Sequence, residues 1–297
     1  MRASYRASVG YDSRMSERQP QEDFTPGRVH RINWRLARIT AANPGMMTGP
    51  GTNTWIVGQA DRVVVDPGPD DAAHQEAVAA AGEGRIKAIL ITHTHPDHSP
   101  GARRLQALTG AQVMAHPREL AGIRDTSFQA DELLDEGDRL DGGDFTLHVL
   151  HTPGHASDHL CFLLEDDRIL IAGDQVMDGA TVVISPPDGN MQDYLDSLHR
   201  LMRLDLAAIA PGHGRLLQPP REVLEAVIEH RLHRERMVLQ AVMEGEEQIA
   251  DLVRRIYTHI PEALQRVAFG SVRAHLEKLR DEGRVAGGGD GPWRPLG

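Results

Sequence analysis

Three imidazoles and a carboxylate fall within six residues at His93, His95, Asp97 and His98, in the stretch Thr92-His93-Thr94-His95-Pro96-Asp97-His98. Imidazole nitrogen and carboxylate oxygen suit zinc, iron or manganese, and no thiolate is offered. A metal site needs donors that converge from short, stiff connections, and a loop at a strand end supplies them. Residues 86–91 are apolar and rich in β-branched side chains, which predicts a buried strand running into this loop. A lone HxH reads as a solvated loop; HxHxDH directly after a buried strand reads as a metal loop.

Three further donors stand at turns: His155 in Pro153-Gly154-His155, Asp174 after Gly173, and His213 in Pro211-Gly212-His213. Singly, each is an ordinary exposed turn. Together, in this order after HxHxDH, they complete a set of seven that fills two metal sites. His93, His95 and His155 would hold one ion, and Asp97, His98 and His213 the other. Asp174 would bridge them, because a carboxylate has two oxygens to offer. Two ions ~3.5–4 Å apart lower the pKa of a shared water toward ~7, which gives a hydroxide nucleophile at neutral pH. Asp97 would also take the proton of the attacking water. No serine or cysteine nucleophile is required. The expected cofactor is a pair of zinc ions, with iron or manganese as alternatives.

The elements that must position these donors are strands. A strand is expected within 31–40, another over 52–57, then 63–65 stopped by Asp66-Pro67-Gly68. Alanine-rich 72–81 predicts a helix, and 101–108 another, followed by a strand at 111–115. Residues 119–137 read as polar and irregular. Strands follow at 145–150, 160–165 and 168–172, then an amphipathic helix over 191–204 capped by Asp188 or Asn190. A short strand at 207–210 leads to the last turn. The donor turns therefore recur at strand ends, after residues 91, 150, 172 and 210.

After Pro219-Pro220 the texture changes to a long charged helix over 221–244 and further helices at 249–256 and 271–282, with a turn-and-strand from Gly283. Three helices and a hairpin resemble a winged-helix module. The expected organisation is a polar, disordered tail over 1–28, a main domain over 29–220 and a winged-helix-like domain over 221–297.

The 297 residues are 40% hydrophobic, enough for one large α/β core and a small extra module. The formal net charge of -11 argues against broad attraction to nucleic acid or an anionic membrane. The only cysteine is Cys161, an expected inert core thiol, so no internal disulfide exists. No apolar run reaches the ~18 residues of a membrane span. The first 28 residues lack the apolar core of a secretory signal. A cytoplasmic location is the expectation. Arg231, Arg234 and Arg236 read as a solvated helix flank, and His116, His148 and His151 as structural or solvated.

In THTHPDH, TPGH, AGD and PGHG, taken in order over roughly 31–217, the chain resembles the metallo-β-lactamase superfamily. The resemblance implies an αβ/βα sandwich with metals at the edge between two sheets, followed here by the small helical winged-helix domain. It also implies that Asp66 orients a metal histidine. The commonest true β-lactamases carry cysteine where Asp174 stands, and often arginine where His98 stands, so lactam hydrolysis is not the expected activity. His95 argues against flavodiiron proteins, whose motif is HxExDH. The short stretch from Asp174 to His213 leaves no room for the insertion of the large RNA-processing members. Gly49-Pro50-Gly51-Thr52-Asn53-Thr54, Thr152-Pro153-Gly154-His155-Ala156-Ser157-Asp158-His159 and the helical tail are similar to the glyoxalase II-like and lactamase-β-like-2 group. That resemblance implies a hydrolase of an acyl bond, thioester or ester, with a small-molecule acyl substrate. The second reading is an endoribonuclease on single-stranded RNA, and the third a mono-iron sulfur dioxygenase. A second copy of this chain is a further candidate partner, through the winged-helix module.

Overall fold

A seven-stranded sheet and a five-stranded sheet face each other in the computed structural model, which describes residues 22–117, 125–258, 261 and 264–296. The first sheet runs in chain order: β1 (Val29–Arg31), β2 (Leu36–Thr40), β3 (Asn53–Val57), β4 (Arg62–Val65), β5 (Ile86–Leu90), β6 (Gln112–Ala115) and β7 (Glu132–Leu133). Pairing is antiparallel up to β4 and parallel from β4 to β7. The parallel part needs crossovers, and α1 (Ala72–Gly82) and α2 (Ala102–Thr109) provide two of them. The second sheet comprises β8 (Arg139–Asp141), β9 (Thr146–His151), β10 (Leu160–Leu164), β11 (Ile169–Gly173) and β12 (Ala208–Pro211), in the order β12-β11-β10-β9-β8. Helix α3 (Met191–Leu201) connects β11 to its parallel partner β12.

Strand alternation explains the layering. In β5, Ala88 and Leu90 point between the sheets, toward Trp55, Leu147, Val149 and Phe162. Ile89 and Ile91 point outward, onto Val78 of α1 and Leu105 of α2. A strand covered on both faces has to be apolar nearly throughout, as 86–91 is. On the other side, Leu150, Leu170 and Ile209 pack against Leu198 and Leu201 of α3 and Val223, Leu224 and Val227 of the next helix. The result is the αβ/βα sandwich that the motifs implied. Each such fully buried apolar side chain contributes about 1.5–3 kcal/mol.

Helices α4 (Pro220–Met243), α5 (Ile249–Ile256) and α6 (Gln265–Asp281) and a two-strand wing, β13 (Val285–Ala286) with β14 (Arg294–Pro295), form the C-terminal module. Its core is Val238, Val242, Ile249, Leu252, Val272, Leu276 and Trp293. Helix α6 starts six residues before the expected Ser271, with Gly270 inside it. A Cβ at Gly270 would lie 2.5 Å from Ser185 Oγ, so glycine there serves close approach to the 185 segment rather than a helix break.

The structure corrects other expectations. Residues 22–28, assigned to the tail, are tied to the sandwich: Glu22 pairs with the buried Arg38 at 2.6 Å, and Gly27 N donates to Thr40 O. The rest of that tail lies outside the described residues, as do 119–124 of the irregular stretch. The other part of that stretch contributes the edge strand β7. Arg231 is not on a solvated flank: it is 3% exposed, donates to Val182 O and lies over the Tyr194 ring. Among the described residues no helix is long and apolar enough to cross a membrane.

Candidate metal centre

All seven donors come together at one edge of the sandwich, although His98 and His213 are 115 residues apart. The loop after β5 is fixed by Asp66 at the end of β4. Its Oδ1 accepts from Thr92 N at 2.8 Å, and its Oδ2 accepts from Thr92 Oγ1 at 2.7 Å and from His98 Nδ1 at 2.8 Å. Asp66 itself holds φ +53°, a left-handed conformation that aspartate tolerates better than most residues. The turn carrying His155 is pinned by α3: Asn190 N donates to Gly154 O, and Ser197 Oγ donates to Pro153 O. Asn190, one of the two expected caps, accepts from Gln192 N and Asp193 N, worth about 1 kcal/mol. Asp174 follows an irregularity in the β11–β12 register, the kind of bulge that re-aims a side chain at a strand end.

The turn carrying His213 is held by Asn53, which is fully buried and whose Nδ2 donates to Pro211 O and Gly214 O on either side of His213. Gly212 is required by crowding: a Cβ there would lie 2.7 Å from both Asp174 Oδ1 and the His98 ring. His159 is fully buried beneath the centre. Its Nε2 accepts from Asp174 N at 3.2 Å, so its Nδ1 carries the proton and donates to Thr152 Oγ1. Asp158 is also buried and accepts from Thr94 Oγ1. Thr54 bonds to buried His74. Cys161 is fully buried, with its thiol pushed up to about 12 by burial, as an inert core thiol should be.

The donor atoms fall into two groups. His95 Nδ1 lies 3.0 Å from His93 Nε2 and 2.9 Å from His155 Nε2. His213 Nε2 lies 3.2 Å from His98 Nε2 and 3.3 Å from Asp97 Oδ2. Asp174 reaches both: Oδ1 is 3.4 Å from His98 Nε2 and 3.3 Å from His213 Nε2, while Oδ2 is 3.7 Å from His155 Nε2. Donors at the corners of a tetrahedron with bonds of ~2.1 Å stand about 3.4 Å apart, close to these spacings.

The hydrogen-bond roles test whether cations fit. Thr92 Oγ1 gives its proton to Asp66, so at 3.0 Å it accepts from His93 Nδ1. His155 Nδ1 donates to Val183 O at 2.6 Å. Both rings therefore aim a bare Nε2 lone pair at His95 Nδ1, which can share a proton with only one of them. Asp174 Oδ1 is buried with no hydrogen-bond partner. Lone pairs and an orphaned carboxylate oxygen facing one another are unfavourable unless positive charge sits between them. The donor set fits divalent cations.

Charge divides the two groups. Burial, then neighbouring imidazoles, hold His93 well below the ordinary histidine range and His95 at about 3, so these two rings are neutral at physiological pH. Burial also opposes charge on His98, but Asp174, Asp97 and Asp66 overcome it and hold its pKa well above the ordinary value. Burial would raise Asp97, yet His98 and His213 set it to about 2.

The chain is similar to known proteins over most of its length. Residues 47–213 match the pattern described as the Metallo-beta-lactamase superfamily, and residues 249–293 the Beta-lactamase associated winged helix domain. A Beta-lactamase-like protein 2 homolog of Caenorhabditis elegans is 29% identical, over 86% of this chain and 88% of that protein. An Atrochrysone carboxyl ACP thioesterase of Aspergillus fumigatus is 30% identical, over 78% of this chain and 76% of that one. The crystal structure of a metallo-beta-lactamase family protein from Thermus thermophilus superposes with a TM-score of 0.75, covering 90% of this chain and all of the other at 24% identity.

Proposed function

The chain belongs to the metallo-beta-lactamase superfamily, and from that premise we propose that it is a dinuclear metal hydrolase acting on an acyl bond, thioester before ester. The observation that carries this reading is Asp174, whose two oxygens face two different donor groups. A mononuclear centre needs no such bridge, which counts against the sulfur dioxygenase reading.

His93, His95 and His155 would hold one ion and Asp97, His98 and His213 the other, with Asp174 shared. When bound, two divalent cations supply Lewis acidity to the acyl oxygen and bring the pKa of water toward ~7. The chain's own groups orient the reaction. Asp97 has the most exposed side chain of the cluster's three acidic groups, at 29% against 11% for Asp174 and 2% for Asp66. It stays a carboxylate at neutral pH and is the group placed to accept a hydrogen bond from the attacking water and draw off its proton. Asp66 holds His98 by its Nδ1 and so aims Nε2 into the centre. Val183 O does the same for His155.

Two features separate acyl from RNA chemistry. The Aspergillus relative is named for an acyl-carrier thioesterase. In the winged helix, Arg254, Arg255, Arg273, Lys278 and Arg294 are paired with Asp251, Glu244, Glu277, Glu235 and Glu247. A phosphate track needs unpaired, clustered cations. The test is metal analysis followed by a panel of acyl-thioesters, esters, a cephalosporin and single-stranded RNA, each at two salt concentrations. Two ions per chain and salt-insensitive thioester turnover are expected. A single ion at saturation, or RNA cleavage that falls steeply with salt while thioesters stay intact, would overturn the proposal.

A further inference from the structure

On the assignment of His93, His95 and His155 to one ion, we infer that Arg231 of α4 is a positioning residue for that group. Through it the C-terminal module sets the direction in which His155 faces the centre. The guanidinium Nη2 donates to Val182 O. The next carbonyl along, Val183 O, accepts from His155 Nδ1 at 2.6 Å. Each peptide unit is a rigid plane, so only φ and ψ of Val183 separate the two carbonyls. Holding the first restricts the swing of the second. Residues 181–185 lie in neither helix nor strand, so a hydrogen-bond ladder of their own does not fix them.

Tyr194 of α3 is the platform for this contact. Its ring is fully buried, and the Arg231 guanidinium carbon lies 5.3 Å from the ring centroid. A cation over an aromatic face is attracted to it, and a planar guanidinium held there keeps its fork aimed. The same tyrosine touches the centre on two more sides. Its hydroxyl donates at 2.9 Å to Gln175 O, on the residue after Asp174. A Cβ on Gly154 would lie 2.3 Å from Tyr194 Cα, so the turn before His155 rests directly on α3. Ser185, two residues beyond Val183, lies against Gly270 of α6, where a Cβ would meet its Oγ at 2.5 Å. Two helices of the module thus brace the segment that fixes His155.

Adhesion of α4 to α3 does not need an arginine. Val223, Leu224, Val227 and Ile228 already bury apolar surface with Leu195 and Leu198. The Nε of Arg231 is buried without a hydrogen-bond partner, and Glu235, one turn on, pairs with Lys278 instead. An apolar side chain at 231 would hold the two helices at least as well. What the guanidinium adds is the direction of one carbonyl. The bracing is also one-sided. His98 is held by Asp66, His213 by Gly51 O and its turn by Asn53, all from the first sheet and its loops. Arg231 therefore bears on the ion of His93, His95 and His155 and not on the other.

The test compares the full-length wild type with Arg231→Met, which keeps bulk and removes the donor, and with Arg231→Lys, which keeps the charge but not the planar fork. Histidines are labelled with nitrogen-15, and exchange of the His155 Nδ1 proton with water is followed by NMR in the chelator-stripped protein. The signal is assigned by its loss in His155→Gln. Exchange is expected to quicken several-fold in Arg231→Met and less in Arg231→Lys, with the His98 Nδ1 proton unchanged. Zinc competition against a chelator gives a second readout: Arg231→Met should weaken one bound ion several-fold and spare the other. Unchanged exchange at His155 would overturn the proposal. So would equal quickening at His98 and His155, because Arg231 would then only stabilise the fold. A wild type that binds a single ion would refute the dinuclear reading, while exchange measured without metal still decides the role of Arg231. Should Arg231→Met fail to fold, Arg231→Lys carries the same comparison.

Discussion

In the sandwich, three buried imidazoles meet at His95 with no acid–base pairing among them, and His98 and His213 meet nitrogen to nitrogen beside Asp97 and Asp174. In the winged-helix module, acids face bases. Lys278 Nζ lies 3.0 Å from Glu235 Oε2 and also pairs with Glu282, while His275 Nδ1 stands 3.7 Å from Glu235. Both clusters are buried, and both costs of desolvation are real. The module neutralises its charges within the chain, so its network is structural. The sandwich leaves lone pairs converging at His95 that only an added cation completes. Burial of charge alone therefore does not mark a functional site; the sign of its neighbours does.

The sharpest way to break this contrast is to remove a donor from the sandwich. Asp174→Ala or His95→Ala is expected to lower turnover on the order of 10³-fold or more, since a bound ion is worth several kcal/mol to the transition state. Far-ultraviolet circular dichroism should be unchanged, and full activity in either variant would remove the centre's role. On the other side of the contrast, Lys278→Met leaves Glu235 buried beside one fewer base. Unfolding by urea should show a loss of about 3 kcal/mol, with bound metal retained. An unmoved midpoint would mean that the module does not depend on its internal neutralisation.

Acid probes both regions of the metal-free protein together. Burial lowers His74 in the sandwich to about 4 and His230 in the module to about 3. Below their ordinary value of about 6.5 the unfolded chain takes up protons that the folded chain refuses. Stability is therefore fully present above pH ~6.5 and lost as pH falls toward 4, by about 3 kcal/mol through His74 alone. Urea midpoints that stay flat between pH 7 and pH 4.5 would contradict this. Asp66→Asn sharpens the comparison more finely: metal affinity measured against a competing chelator should fall 10–100-fold, roughly the effect of losing a carboxylate that orients a ligand. Arg231→Met should do less, below about 10-fold. It acts only through the segment whose Val182 carbonyl it holds and whose Val183 carbonyl fixes His155.

What could be read from the sequence was local. HxHxDH spacing, the apolar run before it and the turns at His155, Asp174 and His213 are short-range signals, and the β5 pattern places both of its faces in cores. The capping of α3 by Asn190 belongs with these. What could not be read depends on partners far along the chain. Asn53 pins the His213 turn from 158 and 161 residues away. Arg231 resembles any charged position on a long helix until the Val182 carbonyl meets it. His116 and His151 lie in different sheets, and only closure of the sandwich stacks them. The early start of α6 was hidden by Gly270, a poor helix former whose value lies in contact with Ser185.

The distance along the chain between the β5 loop and the β12 turn has a consequence for biosynthesis. On the ribosome the HxHxDH loop emerges 115 residues ahead of His213. The last nitrogen arrives only when β12 zips alongside β11, after α3 has been made. A nascent or truncated polypeptide ending before that turn presents an incomplete coordination shell. Under the proposed assignment, the donor group that includes His213 would load only after the sandwich has been finished.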